Sequence, residues 1–327
     1  MRWPAEWEPH EAVFIGFPGN PAEWPVGLDE AQREVAAFAD AVCDDGRGER
    51  VVLVCRDQGD ANAATALVSK SVSVIVEPFG DIWLRDTGPI VTIDNDDRIA
   101  NDFRFNGWGG KFEMAGDEDI APRLAAYFEL PVYAHDWILE GGAIDGDGAG
   151  AIITTEQCVL NPNRNSAFAK ELAEVKFGEA LGTDNIIWLG EGLVADHTDG
   201  HVDNLARFVA PGLVAIPQSD QKNDPNNPIF EDAASRATEC GLIIVRLPSV
   251  GRYELDGAIA PASYMNFYIG NEAVLVPQYG APNDARAVEE IAVLFPEHRV
   301  VGLPSMALLR GGGSFHCISQ QIPADRK

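Results

Sequence analysis

Cys317 stands in the run GGGSFHCISQQIP, Gly311–Pro323, directly after a stretch that holds three consecutive glycines. Glycines leave the space around a neighbouring side chain open and let backbone amides approach a bound molecule. Cys317 is therefore a candidate nucleophile, with Gly311 in a candidate substrate-binding loop. Inert packing is the other reading of a lone thiol. An extended segment would turn His316 to the opposite face and make it a poor partner for Cys317.

Three more segments interrupt apolar runs with chemistry-bearing side chains. In DHTDGHVDN, Asp196–Asn204, a strand would set His197, Asp199, His201 and Asp203 on one face. Imidazole and carboxylate on one face suit a metal site, or a histidine held by an aspartate for proton transfer; the segment alone leaves both open. Gly200 allows a bulge or a close backbone approach there. In DIWLRDTGPI, Asp81–Ile90, an Arg–Asp pair precedes a Thr-Gly-Pro turn. A surface ion pair is the plain reading. Trp83 between charges adds another, since an aromatic face beside a carboxylate grips flat cations. In LEGGAIDGDGAG, Leu139–Gly150, Glu140 ends a strand as a binding carboxylate or a turn residue. The acids after it partly imitate a calcium loop, but Ala149 takes a ligand position and the flanks look like strands, so a hairpin is expected.

The elements that must position these residues alternate. Strands are predicted at Ala12–Phe17, Arg50–Cys55, Val72–Glu77, Ile152–Thr155, Ile186–Leu189, Leu213–Pro217, Leu242–Leu247 and Ala273–Pro277. Most are short β-branched runs closed by Pro, Gly or Asp. Helices are predicted at Asp29–Cys43, Asp119–Phe128, Ala167–Phe177, Glu231–Cys240 and Asp284–Phe295, with Asp29 and Asp284 as N-caps. Strands alternating with helices make an α/β protein. Nothing in the composition divides residues 1–327, so one domain is expected. A loose recurrence of strand, loop, helix and strand hints at structural repeats. The polar stretch Gln218–Pro228 is expected to be a surface loop at the rim of a site.

A formal charge of −27 argues against nucleic-acid backbones and anionic membranes as partners, and suits a cationic ligand. The five cysteines show no CxxC pair and no zinc-like spacing, which fits reduced thiols. The run MRWPAEWEPH lacks the apolar core of a signal peptide, and no apolar run approaches the roughly 20 residues of a membrane span, so a cytoplasmic location is expected.

One thiol, one histidine beside an aspartate, and further carboxylates in separate loops narrow the chemistry. A thiol protease has no need of several site carboxylates. A guanidinium does, because opposed carboxylates can hold its plane against an attacking sulfur. The stretches PAEWEPHEAVFIGFP, DIWLRDTGP, FNGWGGK, LEGGAI, TTEQCVLNPNRN, TDGHVDN, SYMNFYIGN, VPQYG and GGGSFHC run from Pro4 to Cys317. Together they make the chain resemble the agmatine deiminase family, which includes bacterial peptidylarginine deiminase-like proteins of the guanidine-modifying superfamily.

That resemblance implies an α/β propeller (pentein) fold, five ββαβ-type repeats around a pseudo-fivefold axis. It also implies roles: Cys317 as nucleophile, His201 as general acid/base, Asp86 and Asp203 as guanidinium-binding carboxylates, Glu140 lining the pocket and Trp83 beside the substrate chain. The reaction implied converts agmatine to N-carbamoylputrescine and ammonia through a Cys317 amidino-thioether, with no metal or other cofactor. Deimination of free or peptidyl arginine, or guanidinium binding without turnover, are the alternatives. Dimers are common in the family, so a homodimer is admitted. Two positions depart from the family pattern: His197 stands where an acid is common, and Ala143 where Ser is frequent.

Overall fold

The run Val51–Cys55 is apolar throughout and wholly buried, as a strand covered on both faces must be. In the computed structural model, which describes residues 1–24 and 27–325, it lies within one of five mixed sheets that share a single strand pattern. Each has an antiparallel pair, and the second strand of that pair then runs parallel to a third. A helix covers each parallel crossover, because parallel neighbours cannot be joined by a tight turn.

In chain order the first sheet pairs Ile90–Asp94, Asp97–Arg104 and Val132–Ile138. The second joins Ile144–Gly146, Ala151–Thr155 and Asn185–Leu189. The third joins Arg207–Ala210, Leu213–Gln218 and Ile243–Pro248. The fourth joins Tyr268–Ile269, Ala273–Gln278 and Arg299–Pro304. The fifth is assembled from both chain ends: Ser319–Pro323 pairs antiparallel with His10–Gly16, which runs parallel to Val51–Cys55, itself parallel to Ser73–Val76. The crossover helices are Leu28–Cys43, Gln58–Leu67, Ile120–Tyr127, Lys170–Leu181, Asn227–Glu239 and Asp284–Leu294. In the first of these Ala31, Val35, Phe38, Ala39 and Val42 form the buried stripe at helical spacing. Phe38 stacks flat on Phe315 at 4.7 Å and so anchors the segment that carries Cys317.

The eight expected strands and five expected helices are all present, with ends moved by a few residues. The two expected N-caps are not. Gly27 and Asn283 occupy the cap positions, and Asp29 and Asp284 sit inside the first turns, where a carboxylate still favours the helix dipole. Asp284 instead accepts the N–H groups of Gly280 and Ala281 at 2.8 and 3.2 Å, closing the turn before its helix. The stretch from Gln218 is a loop only as far as the helix that starts at Asn227, and it does not line the candidate site described below. LEGGAIDGDGAG forms the expected hairpin. Among the described residues, no helix is long and apolar enough to cross a membrane. All five cysteines are unpaired.

Candidate active site

Five connections carry the chain from the last strand of one sheet to the first strand of the next, and each delivers a side chain to one place. The link after Ser73–Val76 brings Trp83 and, in the short helix Leu84–Thr87, Asp86. The link after Val132–Ile138 brings Glu140, just ahead of the tight turn Gly141–Ala143. The link after Asn185–Leu189 brings His201 and Asp203. The link after Ile243–Pro248 brings Asn266, and that after Arg299–Pro304 brings Cys317. All six polar side chains are buried, with Asp203 at 0% and Cys317 at 7% exposure.

They converge. A Cβ at Gly142 would lie 2.6 Å from His201 Nδ1, 2.9 Å from Asp86 Oδ1 and 3.1 Å from Asp203 Oδ2. The absence of a side chain at Gly142 is what allows these three groups to meet. Gly142→Ala is therefore expected to abolish turnover while leaving a folded protein, checked by activity beside circular dichroism; near-normal activity would show that the three groups do not act at this point.

Each member is held by named contacts. Asp86 accepts the Trp108 indole N–H and the Gly142 backbone N–H, both at 2.9 Å. Asp203 Oδ2 lies 2.8 Å from His316 Nδ1 and accepts the Asn266 amide at 3.2 Å. The same amide lies 3.0 Å from Cys317 Sγ, and the thiol reaches Asp203 Oδ2 at 3.5 Å. His201 Nε2 lies 3.3 Å from Glu140 Oε2, and Arg164 Nε donates to Glu140 Oε1 at 2.7 Å. Two of their buried atoms have no hydrogen-bond partner, Asp203 Oδ1 and His201 Nδ1, the latter 3.7 Å from Asp86 Oδ1. Buried polar atoms are almost always paired, so the free Asp203 Oδ1 leaves an acceptor for a ligand with N–H groups to offer.

The charges pull against one another. Burial, then Asp203 and Asp86, push the Cys317 thiol well above its ordinary range. Burial alone would disfavour the His201 imidazolium, but Asp86, Cys158 and Glu140 outweigh it and raise its pKa well above the usual histidine value. Burial raises Asp86 too, helped by Asp203 and Glu140 and opposed by His201. Asp203 is also penalised by burial, yet His316 holds it below the usual carboxylate range. The resting pair is thus a thiol and an imidazolium. Alkylation of Cys317 by iodoacetamide in the free protein is expected to be slow at neutral pH and to climb beyond the ordinary thiol pKa of about 8.5. A rate already level below pH 7 would show a thiolate stabilised at rest.

Asp86 and Cys317 form the floor of a narrow slot of about 50 Å³, walled by Trp83, Trp108 and Phe112. Gly311 and Gly312 complete one side, and His197 lies between the slot and a wider outer cavity. A Cβ at Gly311 would come within 2.2 Å of the Trp24 ring, so that glycine serves the loop's close packing as well as lining the slot.

The sequence-expected residues Trp83, Asp86, Glu140, His201, Asp203, Gly311 and Cys317 are all brought to this place. The run around His201 is not a strand: Asp199 and Gly200 take positive φ values of 64° and 84°, and the turn separates its members. His201 and Asp203 face the site, whereas Asp199 is spent on Arg164 and Asn163 at 2.6 and 2.9 Å. The group whose ligand atoms could close on a metal is a different one, Glu140, Cys158 and His201, within 4.8 Å of one another. Its carboxylate is already neutralised by Arg164 at 2.7 Å. Arg85 and Asp86 are no surface pair either; Arg85 is buried and donates to Gln321 at 2.7 Å. His316 is far from idle. The segment turns rather than extends, and His316 bridges Asp203 to Glu6, whose carboxylate lies 2.9 Å from its Nε2. Sequence reasoning missed Asn266, Trp108, Arg164 and His316; the polar Asn inside the aromatic run SYMNFYIGN was the signal for the first.

The family profile described as Porphyromonas-type peptidyl-arginine deiminase matches residues 2–323. An agmatine deiminase of Pseudomonas aeruginosa strain UCBPP-PA14 is 37% identical, over 100% of this chain and 96% of its own length. The solved agmatine deiminase of Enterococcus faecalis superposes with a TM-score of 0.91 at 32% identity, over 98% of this chain and 95% of the other. A cysteine-to-serine variant of the C. jejuni agmatine deiminase, solved with substrate bound, gives 0.93 at 28% identity, over 100% and 97%.

Proposed function

The chain belongs to the Porphyromonas-type peptidyl-arginine deiminase family, and from that premise we propose that it hydrolyses agmatine to N-carbamoylputrescine and ammonia. Cys317 is the nucleophile, His201 the general acid and base, and Asp86 and Asp203 the carboxylates that hold the guanidinium. Glu140 orients His201, and Trp83 lies along the substrate's alkyl chain. The single observation that carries this reading is the convergence of His201, Asp86 and Asp203 around Gly142 beside the Cys317 thiol, with Asp203 Oδ1 left without a hydrogen bond.

The guanidinium brings a positive charge of its own between two carboxylates. Set between Asp86 and Asp203, it neutralises the two carboxylates that keep the thiol protonated, and so favours loss of the Cys317 proton to solvent, the His201 imidazolium being already charged. The thiolate attacks the central guanidinium carbon, forming a C–S bond. His201 gives its proton to the departing nitrogen, the C–N bond breaks and ammonia leaves. The S-alkylthiouronium that remains is attacked by water, whose proton passes to the now neutral His201. The C–S bond then breaks, releasing the ureido product and the thiol. Charge-assisted hydrogen bonds of this kind are worth roughly 1.5–3 kcal/mol each, enough to fix the plane of the guanidinium against the sulfur.

The five sheets are read as five ββαβ units set around a pseudo-fivefold axis, with the connections that carry the site at its centre, in one domain with a cytoplasmic place of work. The shared strand pattern and the closing of the fifth sheet by both chain ends support the fivefold arrangement. The test of the activity is ammonia release from agmatine, arginine and a blocked arginine peptide, with and without chelator. Turnover of agmatine, unaffected by chelator and well above that of the arginine substrates, is expected. Well-folded protein that binds agmatine but turns over none of the three would be a guanidinium-binding protein instead.

A further inference from the structure

One charged side chain lining the slot has no part in the reaction. Asp81 lies five residues before Asp86 on the same connection and borders the slot together with Trp83, Trp108, His197 and Cys317. Its Oδ1 accepts the Ile82 N–H at 2.8 Å, and its own backbone N–H is held by Asp117 Oδ1 at 3.1 Å. Among the described residues it forms no salt bridge with a Lys or Arg. Its charged neighbours are acids. Burial, followed by Glu23 and Asp117, pushes the Asp81 carboxyl up to about 7, with the Trp83 indole working against them. A carboxylate so placed lacks a counter-charge that a ligand can supply.

The slot offers an anion no permanent cation, His197 being its only described basic side chain. Its described lining holds no Lys or Arg. The basic side chains beside it are committed: Lys111 Nζ donates to the His197 carbonyl at 2.8 Å, and Arg310 pairs with Asp256 at 3.1 Å. Asp86 and the free Asp203 Oδ1 mark where the guanidinium end of a ligand would lie, beside Cys317, which leaves Asp81 for its other end.

We propose that Asp81 is a specificity-determining residue that accepts the terminal ammonium of a guanidinoalkylamine, matching the slot to a substrate cationic at both ends. Arginine would carry an α-carboxylate toward the same carboxylate, with no Lys or Arg in the described lining to meet it. The proposal rests on the deiminase reading above and deepens it.

The test compares wild type with Asp81→Asn on agmatine, on butylguanidine (the same chain without its amine) and on arginine. Affinities for the first two are also measured by calorimetry in a Cys317→Ser background. Asp81→Asn is expected to raise the KM and Kd for agmatine about 10- to 100-fold, with kcat changed far less. Butylguanidine should shift by no more than about 2-fold on the same scale, and the preference for agmatine over arginine should shrink. An equal loss for agmatine and butylguanidine, or no loss for agmatine, would overturn the assignment. Asp81-dependent agmatine binding without turnover in the wild type would keep the proposal and remove the deiminase reading. The readout is a ratio of two ligands on one protein, so a general loss of fold does not imitate it.

Discussion

Cys317→Ser is expected to reduce agmatine turnover by roughly 10³-fold or more, while the variant still binds agmatine within a few-fold of wild type. The surroundings explain the size of the effect. Burial and the two nearby aspartates already hold the thiol protonated at rest. Even a thiol, with an ordinary pKa of about 8.5, ionises there only once a cation has entered between Asp86 and Asp203. A hydroxyl is far harder to ionise and gains nothing comparable from the single Asn266 amide at 3.0 Å from the sulfur. Binding survives because the guanidinium is held by carboxylates on other connections. Rate constants from single turnovers, set beside calorimetric affinity, read both halves of this expectation.

His201→Asn is expected to lower kcat by about 10² to 10⁴, the range for losing a positioned general acid and base. Its pH dependence carries more information than its size. The pKa of His201 lies well above the usual histidine value because Asp86, Cys158 and Glu140 outweigh the burial that opposes the charge. A raised value keeps the imidazolium present through neutral pH, available to protonate the leaving ammonia, and loses it only as pH rises through the folded value. The basic limb of the wild-type kcat/KM profile should therefore fall well above the ordinary 6.5 of histidine. It should disappear from the residual activity of His201→Asn. A basic limb near 6.5, or one that persists in the variant, would assign it to another group.

Much of the architecture can be read along the chain, because buried strands such as Val51–Cys55 and helical stripes such as Val35, Phe38 and Val42 are local patterns. The segments that hold Cys317, His201, Asp86, Asp203 and Glu140 stand out for a related reason, since each interrupts an apolar run with polar groups; the choice among those groups rests on the family resemblance. What was hidden depends on direction and distance. The one-face placement of His197 to Asp203 assumed extended backbone, and the positive φ values at Asp199 and Gly200 overturn it. His316 makes no hydrogen bond to Cys317, as expected, but the turn gives it a part the extended reading hid: it secures Asp203 at 2.8 Å, the carboxylate the thiol also touches. Asn266 could not be placed beside either, since it arrives on another connection and meets them only through the packing of five separate sheets. Arg164 was hidden in the same way, by the 24 residues that separate it from Glu140.

The most direct measurement is mass spectrometry of the Cys317 peptide after acid quenching of the protein during turnover of agmatine. The expected result is a peptide heavier by agmatine less ammonia, absent from Cys317→Ser and chased away when the substrate is exhausted. Steady release of ammonia with no such adduct at Cys317, at any quench time and in His201→Asn as well, would contradict covalent catalysis by this thiol.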